Sequence, residues 1–280
     1  MNTTTVIRSG TLGAAALLVA GCTTVIDGSA TRDPGHVPGQ VNTALLQPGN
    51  YPTSPRTPEA PSEGLSKLVE AQRLAGYVIY PWEVDPGLTV QDMYGVMVMV
   101  TPNGLSKQIT RASTLDIAAN NGFINGFSTS RSTLQTASGK HSNLNPMVLR
   151  FPDPAKAAAA EAAFAAQNQS GPADSTGAHP IAIPGHPEAA GTAAVLKTGN
   201  PSVTAFSTHG AYVFYVFTQT DDTAESAAAL IGKTLDLQGP RIDQFVPTDP
   251  TQFATMNPDP DGLIARSLPF GESMLNYGVY

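Results

Sequence analysis

The chain has 280 residues, of which 41% are hydrophobic and 13% charged, with 15 Lys plus Arg against 22 Asp plus Glu. That is enough apolar material for one large domain or two small ones, while a formal net charge of −7 disfavours nucleic acid, whose binding needs a basic face. A single cysteine excludes an internal disulfide, and the low charge leaves Ser, Thr, Asn and Gln to wet the surface.

The N-terminal stretch reads as a secretory signal. Arg8 is the sole charge before an uncharged run from Thr11 to Gly21, and small residues close that run. A bilayer core needs roughly 20 apolar residues for a helix to cross it, so the run is too short to remain as a membrane span. Val19-Ala20-Gly21-Cys22 resembles the lipobox of bacterial lipoproteins. The resemblance implies cleavage before Cys22, a diacylglyceryl thioether on its sulfur, and acylation, for example by palmitate, of the new amino group. Two acyl chains suffice for stable anchoring, at about 0.8 kcal/mol per buried CH₂. Loss of residues 1–21 removes Arg8 and leaves 14 basic against 22 acidic residues, a formal charge of −8. No polybasic patch then holds the membrane, and the lipid must. The expected location is the outer face of the cell membrane, lipid-anchored and extracytoplasmic.

From Cys22 to residue 62 the chain is rich in Pro, Gly, Ser, Thr and Asn, with seven prolines between Pro34 and Pro61. Such a segment is an extended tether; Leu45, Leu46 and Tyr51 are apolar enough to dock on the domain that follows. Pro48-Gly49-Asn50-Tyr51-Pro52-Thr53, a helix-like Glu63 to Ala75, and Tyr80-Pro81-Trp82-Glu83-Val84-Asp85-Pro86 come next. With the lipobox, these resemble a family of actinobacterial lipoproteins, mycobacterial and nocardial in type, defined by a domain of unknown function. The resemblance covers most of the mature chain and carries no known chemistry. Members commonly continue past the point where this chain stops, so residues 251–280 are expected to be a tail that begins a second domain.

Residues 63–250 are expected to form one α+β domain. Glu63 to Ala75 predicts a helix with Leu65, Leu68, Val69 and Gln72 on one face and Gly76 as a left-handed cap. Tyr77 to Tyr80 and Met93 to Val100 read as strands, and Pro102 to Ala119 as a second helix stopped by Asn120-Asn121-Gly122. Phe123 to Ser130 and Met147 to Phe151 read as strands. Asp153 caps, and Pro154 starts, an alanine-rich helix to about Gln169. Ser170 to Ala178 reads as a loop, and Pro180 to Ile183 and Thr192 to Thr198 as strands. Val203 to Thr208 and Ala211 to Thr218 flank His209-Gly210, a two-residue hairpin turn. Asp222 and Glu225 form a capping pattern for a last helix, with Ala224, Ala227, Ala228, Ile231 and Leu235 as its core face and Gly239-Pro240 as its break. The order predicts an antiparallel sheet with helices packed on one face.

Motifs for chemistry are incomplete. Gly232-Lys233-Thr234 resembles the end of a phosphate loop, but Ala227 stands where its first glycine belongs, and helix formers precede it. Asn257-Pro258-Asp259-Pro260-Asp261-Gly262 resembles half of a calcium loop, whose twelfth position is Leu268 instead of Glu. His179 and His186 both precede proline and could meet, but two imidazoles without a third ligand make a poor zinc site; His36 and His141 carry no pattern. Gly126-Phe127-Ser128-Thr129-Ser130 lacks the last glycine of a nucleophile elbow. Glu83 and Asp85 beside Trp82 read either as a structural turn whose tryptophan fills the core or as a carboxylate pair beside an aromatic platform for sugar.

The expectation is therefore a lipid-anchored envelope module that binds or scaffolds without catalysis, with Cys22 as its lipidation site and no catalytic, cofactor or metal residues. Its partners would be the membrane, through Cys22, and an envelope protein, lipid or glycan, with no nucleic acid. The alternative is an envelope hydrolase with a dispersed Ser/His/Asp or carboxylate-pair site.

Overall fold

The structure, a computed structural model, describes residues 49, 54–55, 57–111, 113–134 and 141–267, without the side chains of 92–94. The signal, Cys22, nearly all of the tether and residues 268–280 lie outside the described residues.

Seven strands form one antiparallel sheet: β1 (Leu88–Met99), β2 (Asn125–Thr133), β3 (Ser142–Arg150), β4 (Ser175–Pro180), β5 (Ala190–Leu196), β6 (Pro201–His209) and β7 (Tyr212–Thr220). Their order is β1-β2-β3-β7-β6-β5-β4, so two meanders meet where β3 pairs with β7. The helices are α1 (Glu63–Ala75), α2 (Pro81–Val84), α3 (Pro102–Ser106), α4 (Thr114–Asn120), α5 (Pro154–Asn168), α6 (Ala224–Ile242) and α7 (Leu263–Arg266).

The α+β class and the antiparallel sheet agree with the sequence; the placement of the helices does not. They cover both faces. On one face α1 and α6 pack over Phe127, Leu144, Val148, Phe214 and Val216. On the other, α3, α4 and α5 pack over Met97, Met147, Leu149, Phe206 and Tyr215, where Phe164 of α5 stacks on Phe206 at 5.7 Å. The reason lies in β7. Residues 213–216 are all buried, so both sides of the sheet need a cover.

Several element ends also differ, each for a local reason. The inward face of α1 is Ser66, Glu70, Ala71, Leu74 and Ala75, not the Leu65, Leu68, Val69 and Gln72 stripe. Gly76 is right-handed, at φ −66°. Residues 77–79 form no strand, because the Gln238 side chain takes their backbone groups: it accepts from Ile79 N at 2.9 Å and donates to Tyr77 O at 2.8 Å. The helix expected over 102–119 is two, α3 and α4. The link between them contains Thr110 and Ser113, poor helix formers, and Ser113 and Thr114 are held instead by Gln167 of α5.

The hairpin turn lies at Gly210-Ala211, with Gly210 at φ +55°, and His209 is the last residue of β6. β4 begins inside the expected 170–178 loop. Asp153 caps α5 as expected, accepting from Lys156 N. Thr223, not Asp222, caps α6, with Ser226 answering it. Gly239-Pro240 does not break α6, which runs on to Ile242. Packing continues past residue 250, where Phe253 is buried and its carbonyl accepts from Ser66 Oγ at 2.6 Å.

Candidate ligand cleft

Helix α6 positions the site. Its small residues, Ala227 and Ala228, let it lie close on the sheet, and Ile231 and Leu235 fill the seam. Gly232 lets the loop before β5 approach: a Cβ there would stand 2.5 Å from the Pro184 carbonyl oxygen. That approach brings His186 and Glu188 against the last turns of α6. At the end of the β6–β7 hairpin, His209 reaches the same turns, its ring lying beside Gly239, where an added Cβ would be in ordinary contact at 3.7 Å.

Between these elements lies a half-open cleft of about 250 Å³, lined by Ser207, His209, Phe214, Leu235 and Pro240, and by His186, Glu188 and Asp236 at its polar end. His186 bridges two carboxylates. Its Nδ1 lies 3.0 Å from Glu188 Oε1 and its Nε2 3.0 Å from Asp236 Oδ1. An imidazole satisfies two carboxylates at once only when both ring nitrogens carry hydrogen. His209 Nε2 lies 2.6 Å from Asp243 Oδ1, and its ring stacks on Phe214 at 5.7 Å. Its own backbone N–H and the His186 ring hold the Glu188 carboxyl below the usual carboxylate range.

Two acceptors and a hydroxyl remain free. Asp236 and Asp243 each use only Oδ1 in these pairs. Ser207 is 5% exposed and its Oγ makes no hydrogen bond among the described residues. Pro240 has no N–H, so the Asp236 carbonyl lacks its usual i+4 donor. The cleft also sits at the negative end of the α6 dipole.

The residues singled out from sequence divide clearly. His186 enters the cleft, and it does so without His179, whose Nδ1 pairs with its neighbour Gly177 O at 2.9 Å. His209, read as a turn residue, is a cleft residue. Asp236 and Asp243 carried no sequence signal beyond their spacing two turns apart on one helix. Gly232-Lys233-Thr234 lies within α6, where no phosphate loop can form, and Thr234 Oγ1 donates back to Leu230 O. In the calcium-like segment, Asp259 accepts from Ile264 N at 2.9 Å and Ala265 N at 2.8 Å, so it caps α7. No cluster of three or more His, Cys, Asp or Glu among the described residues is arranged to hold a metal. Ser128 is buried on β2, away from the cleft.

Trp82 does not fill the core. It is 40% exposed on α2, stacked on Tyr80 at 4.5 Å, with the Arg131 guanidinium 5.2 Å from its ring centroid. Glu83 is spent on Tyr80 N and on Arg241, at 2.9 and 2.7 Å, and Asp85 on Gly87 N. The two carboxylates are thus local structural acceptors.

Residues 57–258 match the family described as Domain of unknown function (DUF7373) N-terminal. No curated protein matches the chain. Among solved structures, the chain is similar to the extracellular domain of PknH from Mycobacterium tuberculosis, at 16% identity and a TM-score of 0.41, over 61% of this chain and 96% of that one. It is also similar to an uncharacterized protein, the Rv0999 ortholog, from Mycobacterium smegmatis, at 12% identity and a TM-score of 0.27, over 64% of this chain and all of that one. No described helix is long and apolar enough to cross a membrane.

Proposed function

The chain belongs to the DUF7373 family, a domain of unknown function, and we propose that it is a lipid-anchored, extracytoplasmic binding module of the cell envelope. The diacylglycerol on Cys22 fixes it to the outer face of the membrane, and the tether lifts the domain from that surface. The observation that supports binding is the cleft itself: free carboxylate oxygens and the Ser207 hydroxyl beside the apolar surfaces of Phe214, Leu235 and Pro240. Few polar groups placed against an apolar wall are the makings of a small-molecule site. Acceptors and a hydroxyl suit a hydroxyl-rich ligand, and among envelope components a cell-wall glycan fits best.

A hydrolase is the second reading, because Ser207 and His209 line one cleft and His209 pairs with Asp243. Against it, Ser207 Oγ bonds to neither imidazole, and both nitrogens of His186 are engaged. Solubilised cell-wall glycan passed over the immobilised full chain tests both. Retention by the native protein, with loss in the Asp236→Asn/Asp243→Asn variant, supports binding. Release of cleaved glycan, or labelling of Ser207 by a fluorophosphonate, would instead establish the hydrolase.

A further inference from the structure

We infer that the cleft selects a ligand carrying a primary ammonium group on a frame the size of one sugar ring, an amino sugar with its nitrogen unacetylated. The inference rests on the binding reading above and names the chemistry of its ligand.

Charge comes first. Glu188 and Asp236 line the cleft and Asp243, outside the lining, pairs with the lining ring of His209, three carboxylates against two imidazoles and no Lys or Arg in the lining. The lining alone carries a formal charge of −2 with both rings neutral and 0 with both protonated, and Asp243 behind His209 makes these −3 and −1 for the whole cluster. Arg241, on the same helix, is committed to Glu83. The α6 C-terminal dipole adds to the negative potential. Phosphates and carboxylates are repelled, and a cation is drawn in.

Geometry and size narrow the class. Asp236 stands in the lining as an acceptor, and Asp243, two helical turns on, holds the His209 ring at the cleft. Ser207 supplies a hydroxyl that donates or accepts, nine-tenths buried and unpartnered at the wall. The volume of about 250 Å³ falls below the roughly 300–1,000 Å³ of drug-sized pockets, which suits one ring. A metal ion would need three converging ligands, and the carboxylates instead point at imidazoles. An ammonium needs only acceptors, and the ring carbons have Phe214 and Pro240 to lie against.

Ligand-observed NMR titration of the full chain in detergent micelles, with glucosamine, N-acetylglucosamine and glucose, tests this. Glucosamine should bind at least about tenfold more tightly than either neutral sugar and weaken as salt rises. Asp236→Asn and Asp243→Asn should each reduce its affinity about three- to fivefold, the scale of an exposed ion pair. Both carboxylates are largely exposed, so these variants keep the fold. Equal or tighter binding of N-acetylglucosamine would overturn the ammonium assignment while leaving a glycan-binding cleft. Retention of cell-wall glycan without any response to glucosamine would overturn it as well.

Discussion

Glu70 is fully buried, and every contact it makes is to another element or another turn. It accepts from Arg150 at 3.2 Å, from Thr248 N at 2.7 Å and Thr248 Oγ1 at 3.1 Å, and from Arg73. Arg150 also donates to Thr248 O at 2.8 Å. One carboxylate thus ties α1, β3 and the chain after α6 together. Removing it leaves the Arg150 guanidinium buried and uncompensated, a loss of about 3–5 kcal/mol. Glu70→Ala should therefore shift the urea midpoint down strongly, and adding Arg150→Met should recover part of the loss. A loss under about 1 kcal/mol would mean the network is relaxed or wet. None of this was legible in the sequence. A glutamate on a helix ordinarily faces water, and its partner lies 80 residues away. The same distance effect hides the cleft: the pattern around His186 points to His179, whereas its ring joins the nearby Glu188 to Asp236, 50 residues on.

Elements whose signals are local were readable. The Asp153 cap, the alanine-rich α5 and the β6–β7 hairpin emerged within a residue or two, because cap, propensity and turn act over a few positions. Elements decided by a distant side chain were not. Residues 77–79 were β-rich, yet the Gln238 amide took their hydrogen bonds and no strand formed. Pro240 looked like a stop and is tolerated near the end of α6, where few intrahelical bonds remain to be lost. Gly232 is the opposite case, a glycine that propensity would replace. Alanine there gains up to about 1 kcal/mol as a helix former. Its Cβ would meet a backbone oxygen at 2.5 Å, which cannot swing aside. Overpacking costs about 1–3 kcal/mol, so the clash wins. Gly232→Ala should lower the thermal midpoint and, by pushing residues 184–188 off α6, weaken the His186–Asp236 pair, seen as a changed His186 ring signal in NMR. A more stable variant with that signal unchanged would contradict the packing described.

At the scale of the whole molecule, a seven-stranded sheet covered on both faces carries its cleft at one end of α6, on an acidic body. The fold class could be read because strand and helix patterns alternate plainly along 63–242. Which faces the helices cover could not, since a strand apolar on both sides says only that two covers exist. On the proposed processing before Cys22 the body would carry a formal charge of −8, which gives it no attraction to an anionic membrane, so the proposed attachment would rest on the lipid. The intact mass of the membrane-bound protein tests that most directly. Native protein should begin at Cys22 and carry a diacylglyceryl group, while Cys22→Ala should lose that mass and leave the membrane fraction. A native mass that still includes residues 1–21, or one without lipid in protein released to the medium, would contradict the account.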